Sequence, residues 1–189
     1  MSIFLLRHCE RDKNPHFHSS LTTYGLKEAE KLVEQLKTYD FVEIYTSPFL
    51  RTLQTIAPYS KLSGTRVRVE NAIYECIREP YFEADNFRFG LDDIKKYNDF
   101  DDIVDYSYTS KVPLEQIQCT DDLSVIYDRI KPFIDDMIIN CETDGCNRLL
   151  VTHRTTYNII LNYIKYGRFI NEDPTYKPKE GELTECVFS

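Results

Sequence analysis

The sequence predicts an α/β fold: a three-layer α/β/α sandwich around a mostly parallel central sheet with an antiparallel edge strand. Three observations predict it. Short apolar runs alternate with stretches of helical periodicity, the pattern of parallel strands joined by crossover helices. Two of those runs end on chemically loaded residues: residues 3–6 lead into Arg7-His8, and residues 149–152 lead into His153. A last segment, 183–188, alternates weakly between apolar and polar and suits an edge strand. In open α/β sheets the ligand crevice lies outside the carboxyl ends of the strands. His8 and His153 are therefore expected at one crevice, with arginines beside them.

The elements follow in order. Residues 3–6 form a short continuous apolar run, the mark of a buried strand. Residues 7–20 are polar and read as a loop. Thr22 or Thr23 caps a helix to about residue 38, with Leu26, Ala29, Leu32, Val33 and Leu36 at helical spacing. Phe41–Thr46 is a second strand. Ser47-Pro48 then offers an N-cap and a first-turn proline for a helix that ends near Tyr59 and carries Arg51 in its first turn. Val67–Val69 is a third strand, after the Ser63-Gly64 turn. Residues 79–120, rich in Asp and aromatics, break the rhythm and read as a lid-like insertion in a single domain spanning 1–189. Asp121 or Asp122 caps a long helix to about residue 140, which Pro132 should kink or split. Residues 149–152 are the fourth strand and 155–166 the last helix.

Composition narrows the function classes. The 189 residues suffice for one sizeable core. With 23 Lys and Arg against 31 Asp and Glu, the net charge is −8. A nucleic-acid partner needs a basic face that releases counterions, so none is expected. No apolar run approaches a membrane span, and the first one stops at Arg7, too short for a signal-peptide core. No membrane association is expected, and the expected location is the cytoplasm. The six cysteines have no framework spacing and no CxxC pair, so they read as free thiols in a reducing compartment. Cys9, His16 and His18 make a metal set only on paper, because their spacing is irregular. Oligomeric state is not set by the sequence.

The residues that carry chemistry form an ordered series: Arg7-His8-Cys9-Glu10-Arg11; Leu21-Thr22-Thr23-Tyr24-Gly25; Thr46-Ser47-Pro48 through Arg51 to Thr55; Glu70 to Glu75; and Thr152-His153. Taken singly, each has an ordinary reading as a solvated arginine, a structural histidine or a surface carboxylate. Taken in this order and spacing, the series resembles the histidine phosphatase superfamily, the phosphoglycerate mutase-like fold. The resemblance covers most of the chain and is weakest over 79–120.

The resemblance implies a histidine acid-type phosphatase, a phosphomonoester hydrolase that needs no metal and no cofactor. His8 would be the nucleophile and form a phosphohistidine. Arg7 and Arg51 would grip the phosphoryl oxygens, His153 would complete the pocket, and Glu75, with Glu79 as competitor, would protonate the leaving oxygen. These residue types suit the task. Phosphoryl transfer is mostly positioning and charge neutralisation, and the planar fork of Arg meets two phosphate oxygens at once. A neutral imidazole attacks phosphorus and forms a covalent intermediate that water resolves. The implied partner is a small phosphomonoester or a phosphoprotein. His8-Cys9-Glu10-Arg11-Asp12 is also similar to the RHGERxD opening of the phosphatases that suppress T-cell-receptor signalling and of ecdysteroid-phosphate phosphatases. Residues 66–75 resemble the same branch. That likeness nominates Arg11 as a further phosphate contact.

Two departures stand out. Cys9 replaces the Gly that usually follows the nucleophile, narrowing the pocket or offering an oxidation-sensitive thiol. Arg154 replaces the small residue that often follows the second His. Both motivate an alternative, a degenerate phosphate-binding pseudophosphatase. A phosphoglycerate mutase-type phosphotransferase is the other alternative, though the Glu-Arg-His-Tyr-Gly segment of such mutases is absent after Ile73. A P-loop or a cysteine-based phosphatase finds no matching motif. The insertion's aromatics suggest a cover for an aryl phosphoester or a small core of the insertion itself.

Overall fold

A computed structural model describes residues 1–14, 16–77, 88–170 and 176–187. The chain builds a five-stranded sheet in the order β3-β2-β4-β1-β5, from β1 (Ile3–Arg7), β2 (Phe41–Thr46), β3 (Val67–Val69), β4 (Asn147–Thr152) and β5 (Leu183–Cys186). β4 runs parallel between β1 and β2, β3 lies parallel on β2, and β5 is antiparallel on β1. The expected antiparallel edge is thus present; Phe188 of the expected segment lies outside the described residues.

Strand periodicity distributes the core. Phe4, Leu6, Ile44, Leu149 and Val151 face one cluster, joined by Leu36 of α1 (Thr23–Leu36) and Leu53 of α2 (Leu50–Ser63). Ile3, Leu5, Tyr45 and Leu150 face the other, joined by Ile130 of α4 (Leu123–Asp144) and Tyr157 of α5 (Arg154–Tyr166). Alternate residues of one strand thereby serve two helical layers. Fully buried Leu36 and Leu53 each contribute roughly 1.5–3 kcal/mol by leaving water. No helix among the described residues is long and apolar enough to cross a membrane.

Caps and ends refine the expected elements. Thr22 caps α1 by accepting from Gly25 N at 3.0 Å, and Asp122 caps α4 by accepting from Ser124 N at 2.9 Å. Gly25 has a steric reason: a Cβ there would lie 2.0 Å from the Glu10 carbonyl oxygen. α2 runs on past Tyr59 to Ser63, where Gly64 adopts φ 75° and closes it. Pro132 does not split α4. The carbonyl it deprives of a donor belongs to Asp128, an exposed residue whose backbone water can satisfy. Part of residues 79–120 is described. A four-residue helix, α3 (Leu91–Ile94), and Phe89, Phe100, Ile103 and Val104 pack into the cluster that holds Phe4. These aromatics therefore complete the main core and form no separate core of the insertion.

Candidate active site

Four strand ends define the site. His8, Ser47, His153 and Glu70 are each the first residue after β1, β2, β4 and β3. Arg7 pairs in register with Thr152, and Thr46 with Val151, so His8, Ser47 and His153 sit side by side at one sheet edge. The His8 and His153 rings lie 5.4 Å apart between centroids.

His8 is 2% exposed. Its Nδ1 lies 2.7 Å from the Cys9 carbonyl oxygen. A carbonyl can only accept, so Nδ1 carries the proton and Nε2 keeps its lone pair. Burial and then the Arg51 guanidinium push the His8 pKa well below the ordinary 6.5. The ring is therefore neutral near pH 7. His153 is fully buried and its pKa falls for the same causes, in the same order. Its Nε2 lies 2.8 Å from Ser47 Oγ. Its Nδ1 has no hydrogen-bond partner and lies 3.7 Å from Glu75 Oε2.

Ser47 corrects the expected helix start. It was the natural cap by sequence, but its hydroxyl serves His153, and α2 begins at Leu50 after Phe49, without a side-chain cap. Leu50 N instead donates to the Phe17 carbonyl at 3.2 Å. Arg51 still stands in the first turn.

Arg7 and Arg51 are held alike. Arg7 Nη1 donates to the Pro178 carbonyl at 2.7 Å, and Arg51 Nη1 to the His16 carbonyl at 2.9 Å. In both, Nε is buried with no acceptor. Arg51 is 2% exposed, its guanidinium 4.4 Å from the Phe49 ring centroid. Burial lowers its pKa to about 9, Glu75 opposing, which leaves it charged at neutral pH. Arg11 donates to the Asp12 carbonyl, and its charge helps lower the pKa values of His8, Arg51 and His153. It borders the pocket without sharing the buried anchoring of Arg7 and Arg51. Glu75 is partly buried, its Oε1 accepting from Cys76 N at 2.9 Å. Its competitor Glu79 lies outside the described residues.

The departures also find their places. Cys9 is fully buried, its N–H donating to Thr55 Oγ1 at 3.0 Å. Burial, with Glu28 adding, pushes its thiol up to about 12. A protonated, enclosed thiol is a poor nucleophile toward oxidants, which removes the reading of Cys9 as a redox switch. Its Sγ would sit 3.6 Å from a Cβ on Gly181, so the extra side chain is accommodated against that glycine. Arg154 is exposed at the start of α5, close enough for its charge to lower the Arg7 pKa. The paper metal set is not assembled: His16 and His18 stack on each other, apart from enclosed Cys9. Among the described residues no group of three or more His, Cys, Asp or Glu is placed to share a metal ion.

Sequence reasoning missed two contributors. Glu180 Oε1 lies 3.3 Å from Arg7 Nη2. Its segment also pairs with β1: Arg7 N donates to the Glu182 carbonyl at 3.0 Å. Arg129, on α4, donates from Nε to the Ala72 carbonyl at 3.2 Å and from Nη2 to the Tyr74 carbonyl at 2.6 Å. It thereby fixes the backbone just ahead of Glu75. Neither residue lies in a recognisable motif, and both reach the site only through tertiary folding.

A three-layer α/β/α fold with two neutral histidines at adjacent strand ends, Arg7 ending β1 and Arg51 in the first turn of α2 has the make-up of a phosphate-handling protein. The sequence model of the histidine phosphatase superfamily (branch 1) matches residues 3–188, and the chain belongs to that superfamily. The fold is shared with the ecdysone phosphate phosphatase of Bombix mori solved with tungstate, at TM-score 0.69 and 16% identity over 96% of this chain and 87% of that one. It is shared with YhfR of Bacillus stearothermophilus, at TM-score 0.69 and 16% identity over 97% and 89%. The mycobacterial glucosyl-3-phosphoglycerate phosphatase, solved with inorganic phosphate, aligns at TM-score 0.64 and 14% identity over 97% and 88%. No curated protein matches the chain by sequence.

Proposed function

We propose that the chain is a phosphoric monoester hydrolase that works through a phosphohistidine on His8. The observation that carries this reading is a set of buried nitrogens without a partner among the described residues: Arg7 Nε, Arg51 Nε and His153 Nδ1. Buried polar groups are normally satisfied. Three such nitrogens around a neutral imidazole suit a bound phosphoryl group, whose oxygens accept from all of them.

In the proposed reaction His8 Nε2 attacks phosphorus while the bond to the leaving oxygen breaks. The Cys9 carbonyl stabilises the positive charge that the ring acquires. Glu75, protonated, passes its proton to the leaving alkoxide. Water then attacks the phosphohistidine, Glu75 takes the proton of that water, and phosphate leaves with His8 restored. Arg7 and Arg51 neutralise the equatorial oxygens throughout, so the scheme asks for no metal ion and no cofactor. The Glu75 carboxylate beside His153 favours turnover over mere binding, since a binder has no use for a proton donor at that point. The substrate is a small phosphomonoester or a phosphoprotein. In this reading the chain is one domain, with residues 79–120 as its lid-like insertion. Six cysteines outside any disulfide favour a reducing compartment, the cytoplasm.

The test is hydrolysis of p-nitrophenyl phosphate by the wild-type chain and by His8→Ala in EDTA. Turnover that vanishes in the variant supports the phosphohistidine. Loss of wild-type turnover on chelation, restored by zinc or magnesium, overturns it.

A further inference from the structure

A second cleft lies away from the strand-end site. Residues 111–120 form one wall and α4 the other. Its volume is about 660 Å³, and its lining is mixed, with Val112, Val125, Ile126, Pro132 and Phe133 as an apolar patch beside polar and charged side chains. That size falls within the range of small-molecule sites, roughly 300–1,000 Å³.

One cation in the lining lies close to the backbone of the Glu75 segment. Arg129 is half-buried there and forms no ion pair among the described residues. Its Nε and Nη2 are committed to the Ala72 and Tyr74 carbonyls, and Nη1 has no acceptor among the described residues. Of the two carboxylates on the cleft, Asp136 is paired with Lys111 at 2.5 Å and Asp128 is exposed. The Glu75 charge acts on this guanidinium without an ion pair between them, so an anion entering the cleft can pair with it directly.

Both walls are tied to the segment that bears Glu75. On one side Arg129 bonds the carbonyls of Ala72 and Tyr74. On the other, Thr120 N donates to the Ile77 carbonyl at 2.8 Å and Cys76 Sγ to the Thr120 carbonyl at 3.4 Å. Anything that spreads the walls or draws Arg129 toward itself must move the backbone on either side of Glu75.

We propose that this cleft binds a flat, largely apolar molecule bearing one anionic group, and that its occupant controls the placement of Glu75. The second part rests on Glu75 being the acid; the first does not. The probe is 8-anilinonaphthalene-1-sulfonate, an aromatic sulfonate whose emission rises in apolar surroundings.

Titration into the full chain should give saturable fluorescence. Val125→Trp, which fills the cleft from α4, and Gln118→Trp, which narrows it from the exposed opposite wall, should each weaken binding by about tenfold, or about 1.4 kcal/mol. Melting curves establish that each variant is folded. Raising vanadate should move the probe's Kd to a plateau, as linkage between two sites requires. Hydrogen exchange of amides 72–77 should slow with probe bound, and kcat for p-nitrophenyl phosphate should shift to a new plateau. Absence of binding, binding unchanged in both folded variants, or a Kd that climbs without limit as vanadate rises overturns the site. Binding without any change in exchange at 72–77 overturns the control of Glu75. Probe binding that meets the fluorescence, variant, vanadate and exchange expectations in a chain without turnover sinks the phosphatase reading and leaves the site standing.

Discussion

The rings of His8 and His153 face one another at 5.4 Å and are pinned through opposite nitrogens. His8 is held at Nδ1 by the Cys9 carbonyl, and His153 at Nε2 by the Ser47 hydroxyl. One ring therefore offers Nε2 to the pocket between them and the other offers Nδ1. Burial and the Arg51 charge keep both neutral near pH 7. In the proposed reaction this pairing makes His8 Nε2 the attacking atom and His153 Nδ1 the assisting one.

The nucleophile must be unprotonated. Its pKa is depressed well below 6.5, so kcat/KM should hold steady as pH falls through 6.5 and decline only at lower pH, as His8 takes up its proton. His8→Ala should lower the rate on the order of 10⁴-fold or more, as loss of a nucleophile does. Rate measurements from pH 4.5 to 9 check both. An acid limb centred at 6.5 or above would show that His8 titrates like a solvated imidazole.

The same depression makes stability depend on pH. In the folded chain His8 and His153 bind protons more weakly than in the unfolded chain, where the ordinary value is about 6.5. Stability is then fully present above that value and declines as pH falls from it toward the depressed folded values. Urea unfolding between pH 7.5 and 5 should show a falling midpoint. The double variant His8→Ala, His153→Ala should flatten that slope. An equal slope in the variant would assign the acid sensitivity to other groups.

Ser47 holds His153 from the first residue beyond β2. Ser47→Ala removes the partner of Nε2 and leaves a buried nitrogen unsatisfied. A hydrogen bond of this kind is worth about 0.5–1.5 kcal/mol net, so kcat should fall about two- to tenfold. Steady-state kinetics and vanadate affinity check it. A rate equal to wild type would mean that Ser47 does not orient the ring.

Much of this arrangement was legible in the sequence because strand ends are local features. An apolar run ending on Arg7-His8, or ending before His153, reads from a few consecutive residues. Thr22 and Asp122 announced their helices for the same reason. Ser47 was visible but misassigned, because a serine before proline satisfies a local cap pattern as readily as a bond to a residue 106 positions away. Glu180 and Arg129 were invisible, since their roles arise only when distant segments meet β1 and the Ala72–Tyr74 backbone. Phe89 and Phe100 were read as a cover or a separate core because composition cannot say which layer an aromatic joins.

Arg51 does two jobs with one planar group. It bonds the His16 carbonyl through Nη1 while stacked on Phe49, and in the proposed reaction its Nε is left for the phosphoryl group. A lysine ammonium is a point donor that cannot span both positions or stack in the same way. Arg51→Lys should therefore weaken vanadate by about 1.5–3 kcal/mol, roughly 10- to 150-fold, the worth of a charge-assisted bond. Inhibition constants measure this directly. An unchanged constant would place the phosphoryl group away from Arg51.

Glu70 shows how the strand ends also carry the architecture around the site. It is fully buried at the first position after β3. Its Oε1 accepts from Ala72 N and Ser110 Oγ, both at 2.8 Å, and its Oε2 from Tyr108 Oη at 2.5 Å and Lys111 N at 2.9 Å. One carboxylate thus fastens residues 108–111 to the turn that leads to Glu75. Glu70→Ala leaves the Ala72, Tyr108 and Lys111 donors without this acceptor, while Ser110 Oγ keeps the Val112 carbonyl at 2.9 Å. It should cost about 3–5 kcal/mol, at roughly 1–3 kcal/mol for each buried group left unsatisfied. Glu70→Gln should cost less, about 1–3 kcal/mol. The Tyr108 hydroxyl can turn to accept from the new amide, but the Lys111 N–H cannot, so one donor opposes another. Urea denaturation at pH 7 separates the two variants. If Glu70→Ala came within about 1 kcal/mol of wild type, below the large losses expected of a broken buried network, the bonds to Tyr108, Ser110 and Lys111 would not hold that segment in place.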